Sequence, residues 1–347
     1  MKTFSNRYCK IILITIIVSL SLIPAIIFAA GEKMVGPPIT LKLSHQWPQD
    51  PDDYVIKTAI RFAEMAEKRS GGAIKIQFYP AQSLSPSAQQ FRGMRTGVID
   101  MSIFPVVYAA GEIPELQLTH APWWPTNHDH FYRLKDSEVW RLLETEMNKA
   151  GVKSLCWIQS AGGIASRGKA VTQPEDLKGM AVRSSGKAEE WLIEACGAGL
   201  ASMPSSETYI AMQRGVLDAM QTSSSSFAAY KIWEVAPYYL SPEKYCTYFT
   251  TEPIQISMKT WDKLTPEQQK ILIAVGQELE PFALQSAKEE DTRVAKLFAD
   301  HGCKVTLLTE ENNNKFREMA QKYVVPRFIK EVRRGEWLVN GVKQIPY

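Results

Sequence analysis

One nine-residue pattern occurs twice in this chain and constrains its fold more than any other feature. Gly93-Met-Arg-Thr-Gly-Val-Ile-Asp-Met101 is echoed by Ala211-Met-Gln-Arg-Gly-Val-Leu-Asp-Ala219. Each copy reads as a helix ending at a glycine (Gly97, Gly215), then a strand opening on valine and a second aliphatic residue, then an aspartate (Asp100, Asp218). A glycine just past a helix is the usual left-handed cap. Ahead of each copy a strand pattern stops at a proline, Pro80 or Pro204. The echo admits two readings: a common helix-to-strand junction met twice, or one similar βαβ unit in each of two lobes. Two similar α/β lobes would face each other across a cleft.

The surrounding pattern is a regular alternation. Strand periodicity over Ile39–Trp47 is followed by a helix over Tyr54–Lys68, with Ile56, Ile60, Ala63 and Ala66 at helical spacing. A strand at Ala73–Pro80, a helix at Ser87–Thr96 and a strand at Val98–Phe104 follow. Asp129–Lys149 reads as a helix, Val152–Ile158 and Met180–Arg183 as strands, Ala188–Cys196 and Ser206–Gln213 as helices, and Val216–Met220 as a strand. Such alternation predicts α/β layers with largely parallel strands, and 347 residues are enough for two of them. The last third differs. Thr265-Pro-Glu-Gln268 is a strong helix start, and the helical pattern runs on to about Asp300. Pro281 predicts a kink within it. A helix of that length is a strut across two lobes. Lys304–Leu308 reads as a strand and Glu311–Val332 as a closing helix.

The first thirty residues have the three-part form of an export signal: Lys2, Arg7 and Lys10 without an acid, the apolar run Ile11–Phe28, then Ala29-Ala30-Gly31. The apolar run is also long enough for an uncleaved anchor. Removing residues 1–30 leaves 37 bases against 37 acids, so bulk charge does not support a nucleic-acid surface. Cys156, Cys196, Cys246 and Cys303 are widely spaced and form no CxxC, which argues against zinc or dithiol chemistry. They read as small apolar residues, although an exported chain is able to pair them.

Arg183 is the leading site candidate. It ends a strand just before Ser184-Ser185-Gly186 and a helix, and in open α/β sheets ligands bind beyond the carboxyl ends of strands. A guanidinium there presents a fork matched to a carboxylate; the competing reading is a surface ion pair. Arg167, past the strand Val152–Ile158 and its glycine-rich exit, is a second candidate contact. Thr222, Ser223 and the following serines lie at a strand exit and helix start, where hydroxyls and N–H groups receive an anion; a plain flexible loop is the other reading. Trp47 and Phe104, both at strand ends, are candidate apolar walls. Asn127-His-Asp-His130 looks like a metal cluster but suits helix capping better. No nucleophile elbow, phosphate loop, zinc motif or dinucleotide fingerprint is present.

At this point the chain resembles the solute-binding receptors of tripartite ATP-independent periplasmic (TRAP) transporters, of the dicarboxylate-receptor type. The resemblance spans roughly Ile39 to Val332. It rests on Arg61-Phe-Ala-Glu64 leading to Lys75-Ile-Gln-Phe-Tyr-Pro80, on Gly97-Val-Ile-Asp-Met101, and on Glu175-Asp-Leu-Lys-Gly-Met-Ala-Val-Arg183. Met203-Pro, Glu207-Thr-Tyr-Ile-Ala-Met-Gln213 and Gly215-Val-Leu-Asp218 complete it. It implies a two-lobed α/β fold like that of periplasmic binding proteins, with the ligand between lobes joined by a hinge and the long helix. The lobes are expected at 36–164 with 250–290, and at 165–249 with 291–347.

By the same resemblance, Arg183 pairs with a ligand carboxylate and Arg167 is a frequent second contact. Ser205 and Thr222 stand where sialic-acid-type relatives carry an aromatic residue and an asparagine. Gln221 stands near the glutamate of calcium-holding relatives, so no metal is carried over, and no cofactor is expected. Ala219 replaces a common glycine, and Leu84-Ser-Pro-Ser87 replaces a glycine-containing segment. The implied role is a monomeric periplasmic receptor for a small organic acid, without catalysis. It would deliver its ligand to the small and large subunits of an ion-gradient-driven membrane permease. The alternatives are an exported enzyme acting on an anionic substrate, and a receptor for an ATP-driven importer.

Overall fold

The computed structural model describes residues 34–347; the expected export signal lies outside them. β1 (Ile39–His45), α1 (Tyr54–Arg69), β2 (Ile74–Tyr79), α2 (Gln90–Thr96) and β3 (Met101–Ile103) come first. α3 (His128–Tyr132), α4 (Glu138–Lys149), β4 (Val152–Cys156) and β5 (Gln159–Ser166) follow. Next are β6 (Ala181–Ser184), α5 (Lys187–Ala195), β7 (Gly199–Ser202), α6 (Thr208–Gln213), β8 (Ala219–Ser223) and α7 (Ser224–Ala229). β9 (Tyr238–Ser241), β10 (Tyr248–Thr251), β11 (Ile254–Ser257), α8 (Met258–Trp261), α9 (Pro266–Asp300), β12 (Lys304–Leu307), α10 (Glu310–Met319), α11 (Val325–Glu331) and α12 (Gly335–Val342) complete the order.

The strands form two sheets, ordered β2-β1-β3-β11-β4 and β12-β9-β5-β8-β6-β7, with β10 also pairing β5. Each contains the same parallel triplet: β2-β1-β3 in one and β7-β6-β8 in the other. An antiparallel strand then flanks each, β11 beside β3 and β5 beside β8. The fold is two-lobed α/β, as expected, but its strands are not largely parallel: among the described residues antiparallel pairings are as frequent as parallel ones. The echo marks the same place in each lobe. Asp100 accepts the N–H of Lys42 on β1 at 3.0 Å, and Asp218 that of Ala181 on β6 at 2.8 Å. Their carbonyls accept from Ser257 and Arg167 at 2.8 and 2.9 Å. Each aspartate therefore ties three neighbouring strands together.

Local chemistry explains the elements. α1 starts at Asp53, whose Oδ1 accepts from the N–H groups of Val55 and Ile56. It buries Val55, Ala59, Phe62 and Ala66 at helical spacing. Thr265 and Gln268 form the reciprocal capping box that opens α9, which runs unbroken through Pro281 for 35 residues. Its first half seals the core of the first sheet, with Leu272 and Val275 against Leu41, Phe62 and Ile254. Its second half seals the second, with Val294 and Phe298 against Met220, Phe227 and Tyr239. A third core joins both lobes to the C-terminal helices, where Trp123 meets Phe328 edge-on at 4.9 Å.

Three further expectations need correction. The helix expected over Asp129–Lys149 is broken: Ser137 is extended and caps a new helix, accepting from the N–H of Trp140. The strands expected from Val98 and Val216 begin later, at Met101 and Ala219. The N–H groups of Val98 and Ile99 turn back to the Gly93 carbonyl, and those of Val216 and Leu217 to that of Ala211. The sequence reading also missed β5, the central strand of the second sheet. Its Gly162 and Gly163 lack the branched side chains that mark strands. A Cβ at either would collide with the carbonyl of Thr222 or Leu240.

The two sheets are joined by a pair of antiparallel segments. β4 continues through Trp157-Ile158 into β5, and β10 through Glu252-Pro253 into β11. Thr251 pairs with Gln159 and Ile254 with Cys156. Between these pairs, the N–H of Glu252 donates to the Ile158 carbonyl at 2.8 Å. This double crossing and α9 are the links between the two sheets.

Candidate functional site

The carboxyl ends of β1 and β6 approach each other between the lobes. Arg183 lies on β6, one residue from its end, and is 1 % exposed. Its Nε donates to the Met203 carbonyl at 3.0 Å and its Nη1 to that of Gln221 at 2.7 Å. Its Nη2 donates to the hydroxyl of Tyr108, from the first lobe, at 3.4 Å. Among the described residues no carboxylate lies in ion-pair contact with it. A guanidinium has five N–H donors, so two remain. Burying such a charge without an anion is unfavourable, and a ligand carboxylate relieves that.

The neighbours leave this arginine as the dominant charge. Burial pushes Glu189 up to about 7, against the pull of Arg183. Burial, helped by Arg183, holds His120 down to about 3, so its ring is neutral near pH 7; it contacts the Tyr248 hydroxyl at 3.2 Å. The Tyr108 hydroxyl also accepts the N–H of Ser205 at 3.1 Å, leaving its own proton free to donate.

Across the cleft, the indole of Trp47 donates to Ser226 Oγ at 3.0 Å, and Ser226 Oγ in turn lies 3.4 Å from Ser205 Oγ. The hydroxyl of Tyr230 donates to the Gln46 carbonyl at 3.1 Å. Ser225 donates to Asp53. The lobes are therefore closed upon each other. At the tip of β1, Ser44 Oγ, His45 Nδ1 and both amide atoms of Gln46 are buried without a protein partner, as is Glu189 Oε1 in the opposite lobe. Buried polar groups are normally satisfied, which suits this region to a polar ligand.

The site candidates fare differently. Arg183, Trp47 and Ser205 come together, and Ser223 is the last residue of β8 and the cap of α7, accepting from the Ser226 N–H. Thr222 is buried beside it on β8. Phe104 packs edge-on against Phe91 in the core rather than walling the cleft.

Arg167 is a correction: it is exposed, and its guanidinium lies over Gly215, at the end of β8 opposite Ser223. The segment before it is the antiparallel β5, which starts at the cleft with Gln159 and runs away from it, so Arg167 marks the far end. Sequence reading missed Tyr108, Gln46, Tyr230 and Glu189, which sit in turns and helices with no motif around them. Only the position of Gln46, at the end of the first strand pattern, offered a signal.

Asn127 caps α3 by accepting the His130 N–H at 2.8 Å, while His128 pairs with Asp291 at 2.9 Å. Among the described residues no group of three or more His, Cys, Asp or Glu is placed to hold a metal. The four cysteines among the described residues are free. Among the described residues no helix is long and apolar enough to cross a membrane.

Two α/β lobes closed over a buried arginine that no carboxylate of the described residues pairs with have the architecture of a solute-binding protein. The sequence profile of the bacterial extracellular solute-binding proteins, family 7, matches residues 43–331. A solute-binding protein of Albidiferax ferrireducens is 38% identical over 285 residues, 81% of this chain and 84% of its own. The crystal structure of a TRAP periplasmic solute binding protein from Rhodoferax ferrireducens with bound malonate matches with a TM-score of 0.85 at 36% identity, covering 88% of this chain and 98% of that one. The C4-dicarboxylate-binding periplasmic protein DctP of Rhodobacter capsulatus is 25% identical over 282 residues, 80% of this chain and 83% of its own. The chain belongs to family 7 of the bacterial extracellular solute-binding proteins, and is a receptor of the TRAP type.

Proposed function

We propose that this receptor holds a small organic carboxylate between its lobes and hands it to the two membrane subunits of an ion-gradient-driven TRAP permease. The observation that carries the reading is the buried Arg183, with two donors to spare and no protein carboxylate beside it. The ligand carboxylate takes those donors together with the proton of Tyr108. The unspent polar atoms of Ser44 and Gln46 receive its other end. Malonate in the Rhodoferax relative supports a short acid as the first probe.

The receptor works in the periplasm, to which residues 1–30 direct it, and it binds without catalysing. The hinge lies at Trp157-Ile158 and Glu252-Pro253. It divides the chain into a lobe of roughly 36–158 with 253–290 and a second lobe of the intervening residues with 291–308, the C-terminal helices packing against both.

Calorimetric titration with malonate and a panel of short mono- and dicarboxylates tests this. Arg183→Ala should weaken the best binder at least thirtyfold, on the order of 2 kcal/mol for a charged hydrogen-bonded pair. Unchanged affinity would refute the assignment.

A further inference from the structure

A second buried charged cluster lies where the chain crosses between lobes, apart from Arg183. Glu252, in one crossing segment, is 1 % exposed, and its Oε2 accepts from Ser160 Oγ at 2.9 Å. Ser160 Oγ is in turn 2.5 Å from the hydroxyl of Tyr54, which donates to the Gln159 carbonyl. Next to this group is Asp53, also 1 % exposed. One of its oxygens caps α1 of the first lobe; the other accepts from Ser225 on α7 of the second. Tyr230, just after α7, bonds back to the first lobe at Gln46. The second lobe thus roofs a carboxylate pair rooted in the hinge and the first lobe.

The groups facing the pair are accounted for element by element. Tyr54 comes from α1, Tyr248 from β10, Tyr230 from the end of α7, and Glu290 and Arg293 from α9. The one cation among them, Arg293, is held by both oxygens of Glu290, at 2.6 and 2.7 Å. It lends some charge to Asp53 and makes no contact with Glu252. Closed lobes therefore bury Glu252 beside another acid without a cation of its own.

We propose that closure of the two lobes is proton-linked, Glu252 taking up a proton as the lobes close over it and releasing the proton as they part. The inference rests on the two-lobed receptor reading and not on which acid is bound. Burial, with Asp53 adding to it, raises Glu252 to about 8 in the closed form. Parting the lobes breaks the Tyr54–Ser160 contact beside Glu252 and the Ser225–Asp53 bond next to it and admits water, which returns Glu252 toward the ordinary carboxylate range. A group whose closed-state value is raised favours closure fully below its open-state value. That support is lost as pH rises through the closed-state value. Closure is thus favoured near pH 5 and opposed near pH 9.

Small-angle X-ray scattering of the ligand-free chain at pH 5 and pH 9 reads this without any ligand. Wild type should be compact at pH 5 and expanded at pH 9, with Glu252→Gln compact at both. Asp53→Asn keeps a helix cap and removes the neighbouring charge. It should move the midpoint of expansion by about one pH unit or more, downward, because a carboxyl without a second acid beside it is raised less; it serves if Glu252→Gln does not fold. A wild-type radius of gyration that is constant with pH overturns the proposal. So do variants that expand at the same pH as wild type. Failure of the carboxylate assignment at Arg183 would leave this measurement unaffected.

Discussion

The indole of Trp47, just past the last residue of β1, donates to Ser226 Oγ on α7 at 3.0 Å, and so fastens one lobe to the other. Closure in this molecule is made by single side-chain bonds of this kind, placed around Arg183. Trp47→Phe keeps most of the buried ring and removes the donor. The expected result is a Kd for the best-bound acid about fivefold higher, from the loss of roughly 1 kcal/mol. Calorimetric titration checks it, with intrinsic fluorescence following closure in wild type.

Arg183→Lys tests the fork rather than the charge. A lysine ammonium cannot reproduce the simultaneous bonds to the Met203 and Gln221 carbonyls and a bidentate contact with an acid. Affinity should fall by at least tenfold despite the retained charge. Arg167→Ala, at the far end of β8, should leave affinity within twofold of wild type. A large loss in Arg167→Ala would contradict the placement of that residue.

Asp100→Ala and Asp218→Ala remove equivalent ties between strands. Each should destabilise its lobe by about 1 kcal/mol, or somewhat more because the acceptor is a carboxylate. Urea denaturation followed by circular dichroism reads the loss. Similar effects from two positions far apart in sequence are the signature expected of a repeated unit.

Glu189 gives a pH dependence of stability. Its carboxyl is raised to about 7 in the folded chain by burial. Its contribution is therefore fully present below the ordinary carboxylate value of about 4.5 and is lost as pH rises through 7. The loss is on the order of 3 kcal/mol, since holding a carboxyl one pH unit above its ordinary value corresponds to about 1.4 kcal/mol. Glu189→Gln should narrow the stability difference between pH 5 and pH 8 in urea melts. A pH profile identical to wild type would argue against the raised carboxyl.

The parts of this fold that were legible in sequence are those with local causes. The Thr265–Gln268 box announces a helix start because capping is a matter of a few neighbouring atoms. Gly97 and Gly215 announce helix ends because left-handed backbone selects glycine, and both have positive φ, 81° and 75°. The place of Arg183 was legible because its strand sits in a parallel run, which fixes the end of the sheet that it reaches. Arg167 was misplaced for the converse reason. Nothing local reveals whether a strand such as β5 runs parallel or antiparallel, and that direction alone decides which end of the sheet its last residue reaches. Tyr108 and Glu189 were invisible because their roles come from the tertiary fold: Tyr108 meets partners far along the chain, and Glu189 is buried by other elements.

The matched aspartates set the two triplets in the same frame, and the frame can be followed up the strands. Leu43 pairs with Met101 as Val182 pairs with Ala219, so the next residues, Ser44 and Arg183, occupy corresponding places. One half of the cleft offers a hydroxyl and an adjacent amide at that level, and the other offers a fixed cation. A molecule with an acid at one end and hydrogen-bonding groups at the other can enter this cleft in one orientation and not in its reverse. The duplicated scaffold thus gives its cargo a heading, by letting twin positions carry unlike chemistry.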